Sequence, residues 1–284
     1  MTALIKPFFM IVTFSCLVGM AKTVVADSFS FTTGAPDGRM ATASRPDSPN
    51  GIEVESADDF ILPSATVLTG ATFTGLLPIG VPLSSVQSVT VEIYRVFPND
   101  SVNPPSGRVP TRVNSPSDIA FDSRGTTNSS LSFTITLLNP TFTAANSVVN
   151  GINPLPNQTT GGEGATTGQE VVFSASFTSP FVLPADHYFF VPQVLLTNGN
   201  FLWLSTARPG PIFPGDLQSW IRNANLDPDW LRIGTDIVGG NPAPTFNASF
   251  SLEGETVPEP ATLLLLGTGL VGFAIKVRRN SKKT

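Results

Sequence analysis

The sequence predicts an all-β fold: a single antiparallel two-sheet sandwich, jelly-roll-like, with one short helix. Three observations lead to this prediction. The chain of 284 residues contains 26 prolines and 24 glycines, which divide it into short segments. Between them lie alternating runs rich in Val, Thr, Phe and Ser, the pattern of half-buried antiparallel strands. Strands do not alternate with long helical patterns, so a parallel α/β sheet is excluded and a closed barrel is the alternative.

Eight segments have the strand pattern. It is clearest where Val89, Val91 and Ile93 alternate with polar or aromatic residues. Asn198-Gly199-Asn200 separates two of the segments and predicts a hairpin, because Asn-Gly favours the tight turns that join paired strands. The eight predicted strands are 27–33, 66–77, 86–97, 131–138, 170–178, 188–196, 201–205 and 246–252.

The remaining parts of this region are predicted as one helix and two long loops. The helix is expected at 216–224, where Asp216 can cap the N-terminus and Leu217, Trp220 and Ile221 share one face. Segments 98–124 and 139–168 combine prolines, glycines and small polar residues, as long loops do. No repeat or second boundary interrupts the region, so 27–256 is predicted to be one domain.

The N-terminal residues 1–26 have the pattern of a cleaved secretory signal. Lys6 precedes a mostly apolar run at 8–21, and small residues ending at Ala26 supply a cleavage site. An apolar run of this length is too short to span a bilayer as a helix. The single cysteine, Cys16, lies inside the signal, so the exported chain is expected to contain no disulfide.

The C-terminal residues 257–284 contain three parts in order. The motif Val257-Pro258-Glu259-Pro260 is followed by an apolar run at 261–277, a predicted transmembrane helix at the lower length limit for a span. A basic tail, 278–284, completes the chain and is expected to stay cytoplasmic, which places the rest of the protein outside. The basic cluster is Lys276, Arg278, Arg279, Lys282 and Lys283.

This arrangement resembles the PEP-CTERM sorting signal of exported proteins from Gram-negative bacteria. Signals of this type are also called the C-terminal domain of ice-binding proteins. The resemblance covers about the last 28 residues. It implies that an exosortase, an integral-membrane cysteine protease or transpeptidase, cuts near the motif after the export machinery has delivered the chain. It further implies a transient anchor in the inner membrane, then a cell-surface or secreted location in an exopolysaccharide or biofilm setting.

The motif itself suits recognition by a membrane enzyme. Pro258 and Pro260 hold the backbone near polyproline II and remove two N–H donors, so the segment is stiff and extended. Glu259 then projects as a single carboxylate that a basic pocket can pair with.

Charge and composition exclude several classes of function. Residues 27–256 contain nine arginines, no lysine and twenty acidic residues, a formal net charge of −11. Such an acidic domain is not expected to bind nucleic acid. One histidine, His187, and no cysteine leave no Cys/His metal site, and no serine lies in a nucleophile-elbow sequence. We therefore expect no catalytic residues and a non-enzymatic protein.

Two further binding sites are considered from the sequence. Asp58, Asp59, Asp227 and Asp229 are candidate calcium ligands, because calcium prefers several oxygen ligands from loops, although their spacing fits no known calcium loop and no cofactor is otherwise expected. The candidate glycan contacts are Trp203, Trp220 and Trp230. The primary expectation is a non-enzymatic matrix-associated protein. The alternatives are a glycan-binding module and, more weakly, a hydrolase with paired carboxylates.

Overall fold

The computed structural model describes residues 26–49, 51–101, 107–152, 159–207 and 213–257. Within them, Ser28–Thr256 forms one compact unit made of two β-sheets, which confirms the all-β, two-sheet prediction. The jelly-roll description remains a prediction. Residues 1–25 and 258–284, which include nearly all of the predicted signal and the predicted transmembrane helix, lie outside the described residues.

Fifteen strands are present in the described part of the chain. Their bounds are β1 Ser28–Thr32, β2 Pro36–Ala43, β3 Val54–Leu62, β4 Thr66–Leu77, β5 Val86–Arg95, β6 Asp122–Gly125, β7 Ser132–Ala144, β8 Asn146–Val148, β9 Thr166–Leu183, β10 Asp186–Leu196, β11 Leu202–Thr206, β12 Trp220–Asn223, β13 Leu231–Arg232, β14 Asn247–Ala248 and β15 Phe250–Thr256. A 3-10 turn, Leu83–Ser85, and a π-helical turn, Ile233–Val238, are the helical segments of this part.

The larger sheet has nine strands in the order β1-β15-β4-β11-β2-β8. Strand β9 lies on the other side of β4 and carries β7 at its outer side, while β14 pairs with β11. All these pairings are antiparallel except β2 with β8. The first and last strands are neighbours, with Ser28 opposite Glu255. The smaller sheet has six strands in the order β13-β12-β3-β10-β5-β6.

The main core lies between the inner faces of the two sheets. Phe73 on β4 and Phe250 on β15 belong to the larger sheet, and both contact Phe190 on β10 of the smaller sheet. The centroid of the Phe190 ring lies 5.0 Å from that of the Phe250 ring and 6.3 Å from that of the Phe73 ring. Alternation places these aromatic residues inward on every second position, so the patterned runs seen in the sequence become the sandwich core.

Strand β3 was not predicted, because its sequence does not alternate. Acidic residues interrupt it, yet Glu55, Asp58 and Asp59 are all buried there. Their partners come from distant segments, which local patterning does not reveal. Strand β2 was also missed. The predicted loops 98–124 and 139–168 contain β6, the end of β7, β8 and the start of β9.

The predicted helix at 216–224 is wrong. Residues Trp220–Asn223 form strand β12, which pairs with β3 on one side and β13 on the other. All four of its residues are buried, so both faces of the strand are covered. Trp220 and Ile221 therefore pack in apolar clusters on opposite faces of the strand. Consecutive apolar residues of this kind resemble one face of a helix when only the sequence is considered.

The predicted hairpin at Asn198-Gly199-Asn200 is also wrong. Gly199 adopts a positive φ of 81°, as a tight turn requires. However, the turn joins β10 of the smaller sheet to β11 of the larger sheet, and these strands do not pair. Every residue of β11 is buried, so its sequence lacks the alternation that would have indicated its partner.

Candidate functional site

The predicted sorting segment follows directly after the last strand. Strand β15 ends at Thr256, and Val257 is 38% exposed. At the other end, Ala26 of the predicted signal cleavage site is half-buried. The remaining residues predicted for sorting lie outside the described residues: Pro258, Glu259, Pro260, Lys276, Arg278, Arg279, Lys282 and Lys283.

A cluster of polar side chains, which we call the carboxyl cluster (Glu55, Glu92, Tyr94 and Arg222), lies on the outer face of the smaller sheet. Tyr94 Oη lies 2.8 Å from Glu55 Oε1 and 3.0 Å from Glu92 Oε2. A phenol donates one proton, so the second carboxyl can join this contact only if it carries its own proton. Burial, reinforced by the charge of Glu55, raises the pKa of Glu92 from 4.5 to about 8. Glu92 is therefore the protonated partner at neutral pH.

Arg222 on β12 closes the carboxyl cluster from the neighbouring strand. Its Nε donates to Glu55, its Nη2 donates to Tyr94 Oη at 2.9 Å, and its Nη1 lies 2.6 Å from Asp227 Oδ1. The guanidinium also lies 4.3 Å from the centre of the Trp230 ring. Burial opposes the charge of Arg222, but the acidic groups around it, Glu55 first and then Tyr94 and Asp227, together outweigh burial and raise the pKa of the guanidinium. Because Glu55 is 4% exposed, a substrate has no access to its carboxylate in this structure.

The predicted calcium ligands Asp58 and Asp59 point to opposite faces of β3. Asp58 faces into the sandwich and accepts hydrogen bonds from Ser219 Oγ at 2.9 Å and Ala248 N at 2.8 Å. Asp59 Oδ2 lies on the outer face, 2.6 Å from His187 Nε2. Burial raises the pKa of both aspartates, more strongly for Asp58. Their separation by the sheet prevents them from binding one ion together.

The other two predicted calcium ligands belong to different ion pairs. Asp227 pairs with Arg222, whereas Asp229 is fully buried and accepts from Arg112 Nη1 at 2.8 Å. Arg112 Nη2 also donates to Asp118 at 2.6 Å, so this buried ion triad joins the segment after β5 to the segment after β12. The described residues contain no group of three or more His, Cys, Asp or Glu side chains arranged to hold a metal ion.

The three tryptophans predicted as glycan contacts are all buried. Trp203 and Trp220 are 1% exposed, and Trp230 is 0% exposed. Trp203 Nε1 donates to Ser249 O at 2.9 Å, and Trp230 Nε1 donates to Ser117 O at 3.2 Å. No ring face is free for a sugar, so these residues do not form a stacking platform in this structure.

A cleft that no sequence pattern predicted lies at one end of the larger sheet. Its volume is about 310 Å³, and its lining contains no charged side chain. The walls combine the apolar side chains of Leu202 and Val149 with the polar groups of Thr166, Thr167 and Asn200. Gly199 and Asn200 of the Asn-Gly-Asn turn line this cleft, but the sequence of the turn predicts a hairpin rather than a binding site.

Comparison with known proteins places the chain in the class of exported proteins that are sorted at the membrane. The specific signal is the PEP-CTERM protein-sorting motif, whose family model matches residues 256–279. The predicted resemblance is therefore confirmed, and the motif makes the chain a substrate for exosortase processing. No curated protein and no solved structure matches the chain. No helix in the described ranges is both long enough and apolar enough to cross a membrane.

Proposed function

We propose that the chain is a non-enzymatic protein of the cell surface or extracellular matrix, carried there as a folded β domain by its sorting signal. The observation that carries the proposal is the position of the signal. The matched motif begins at residue 256, and β15 ends at Thr256. A cut near the motif therefore leaves every described strand in the released domain. The exported domain needs no catalytic group and no metal ion in this proposal.

The outer face of the larger sheet supports association with an exopolysaccharide. Five directly opposed residues on five neighbouring strands form a row of hydroxyl side chains across this face. The row follows from the strand registers and consists of Thr134, Ser174, Thr72, Ser251 and Thr32. We call it the hydroxyl row. Such a surface offers hydrogen-bond donors and acceptors to a hydroxylated polymer. The hydroxyls of the row carry no charge, so they add no repulsion towards an anionic polymer, even though the domain as a whole is strongly acidic.

Replacement of Glu259 by alanine tests the sorting step. We expect Glu259→Ala to remain uncut in the inner membrane, because the single carboxylate that the membrane enzyme would pair with is lost. Glu255→Ala is the matched control, since Glu255 is an exposed glutamate just outside the matched segment. Immunoblots of membrane and medium fractions distinguish precursor from product. Normal release of Glu259→Ala would refute the proposed recognition.

The second candidate function is glycan binding, and the 310 Å³ cleft is the observation that favours it. Its volume lies at the lower end of the range for small-molecule sites, and uncharged hydroxyl and amide groups suit a neutral sugar. A glycan array on residues 27–256, repeated with EDTA, tests both this role and any need for calcium. Glycan binding that Asn200→Ala abolishes would support the cleft as the binding site. Binding that survives this change would exclude the cleft as that site.

A further inference from the structure

Strand β7 is a long edge strand of the larger sheet. It pairs with β9 on one side, and no strand of the described chain pairs with its other side. Residues 132–137 keep one uninterrupted register with β9, and the register shifts begin only after Leu137. An edge of this kind presents a row of backbone N–H and C=O groups that another strand can pair with.

The other edge strands of the two sheets are short, and some carry charges. Strand β1 has five residues, β8 has three and β13 has two, while the four-residue β6 contains Asp122 and Arg124. Short length and charge are the usual protections against edge pairing. Strand β7 has thirteen residues and neither protection along its first half.

The charge distribution favours a second copy of this chain as the partner. The domain 27–256 carries a formal net charge of −11, so two copies repel each other over most of their surfaces. Residues 125–162, which include all of β7, contain no charged residue. Two domains can therefore approach along this edge without bringing charges of β7 itself together.

The side chains of β7 are self-complementary in an antiparallel register centred on Thr134. Its outward positions Ser132, Thr134 and Thr136 carry hydroxyls, and the intervening positions Phe133 and Ile135 pack on the core. Directly opposed residues of an antiparallel pair point to the same face. With Thr134 opposite Thr134, hydroxyls meet hydroxyls and Phe133 meets Ile135. A shift by one residue would oppose hydroxyl and apolar side chains.

We propose that two copies of this domain pair through β7, antiparallel about a two-fold axis at Thr134. In this register Leu137, which is 43% exposed, lies opposite Leu131 of the second copy and gains an apolar neighbour. The interface is isologous, so it closes at two copies rather than forming a chain. The hydroxyl row then continues from one domain into the other as a single surface.

Engineered cysteines test the register, because residues 27–256 contain none. Opposed Cα atoms in an antiparallel pair lie about 4.5–5.5 Å apart, within the range that a disulfide bridges. Thr134→Cys is therefore expected to form a disulfide-linked dimer under mild oxidation. Ser174→Cys is the control, since Ser174 is exposed on the same face but one strand further in, about 14 Å from its copy at the usual strand spacing.

Sedimentation velocity on residues 27–256 tests the association itself. We expect the unmodified domain to dimerise with rising concentration and Thr134→Lys to remain monomeric, because a lysine at the axis would face its own copy. Ser174→Lys is expected to dimerise normally, and circular dichroism checks that both variants are folded. A monomer at every concentration, a dimer that tolerates Thr134→Lys, or no cross-link from Thr134→Cys would each overturn the proposal.

Discussion

Replacement of Glu92 by glutamine should remove a large part of the pH dependence of the free energy of unfolding of this domain. In the folded domain Glu92 keeps its proton up to a pKa of about 8, whereas a glutamate ordinarily has a pKa of 4.5. Between these values the folded state binds one more proton than the unfolded state. The free energy of unfolding therefore falls as pH rises through this window, and the contribution of Glu92 is fully present only below it.

The size of the effect follows from the width of the window. One proton linked to folding changes the free energy of unfolding by about 1.4 kcal/mol per pH unit. Across the window from 4.5 to about 8, the loss is at most about 5 kcal/mol. Glutamine keeps a donor for this contact and cannot ionise. Glu92→Gln should match the wild type near pH 5 and exceed its stability by several kcal/mol at pH 9.

Urea unfolding of residues 27–256 at a series of pH values measures the difference. The difference in the free energy of unfolding between the wild type and Glu92→Gln isolates the contribution of Glu92 from those of other buried acids. Asp58 is one such acid, and its pKa is also raised. Glu253→Gln, at an exposed position of β15, is the matched control and should follow the wild type. Parallel curves for wild type and Glu92→Gln between pH 5 and 9 would refute the assignment of the proton to Glu92.

Three further changes test the packing and the charges. Arg112→Ala should lower the free energy of unfolding by about 3–5 kcal/mol, because it removes the guanidinium that contacts the two buried carboxylates of Asp118 and Asp229. The exposed Arg39→Ala should have little effect in the same urea titration. Phe73→Ala should lower the free energy of unfolding by about 3–5 kcal/mol, because it opens a cavity in the core. A thermal melt measures the loss, and a near-neutral change would contradict the prediction. Three backbone N–H groups donate to Glu163, and together they outweigh burial and lower the pKa of its carboxyl. Its stabilising effect is therefore present above the ordinary pKa of a glutamate and disappears in acid. Glu163→Gln should be less stable than the wild type at pH 7, and the difference in the free energy of unfolding should close towards pH 3. An unchanged gap in acid would contradict the last reasoning.

Local patterning predicted the strands whose two faces differ. Strand β5 alternates because its inner residues face the core, whereas its outer residues Glu92 and Tyr94 belong to the carboxyl cluster. Strands β3 and β12 have both faces covered, so apolar and charged residues occur in them without a period. Patterning cannot identify such strands when their charges are neutralised by partners far along the chain.

The candidate sites show the same division. The sorting motif was predicted because its parts are contiguous in the sequence, and the family model confirms it. The carboxyl cluster was not predicted, because Glu55, Glu92 and Arg222 come from three strands that only the fold brings together. Composition does not distinguish a buried indole from an exposed one, so the sequence alone left the three tryptophans as candidate glycan contacts.

The pairing of the first strand with the last has a consequence for secretion. A chain exported from its N-terminus releases β1 first and β15 last, yet β15 fills the gap between β1 and β4. The larger sheet therefore cannot be completed until residue 256 has left the translocation channel. The sorting motif is then the next segment to emerge. The strand order therefore makes completion of the larger sheet depend on the residues that directly precede the sorting motif.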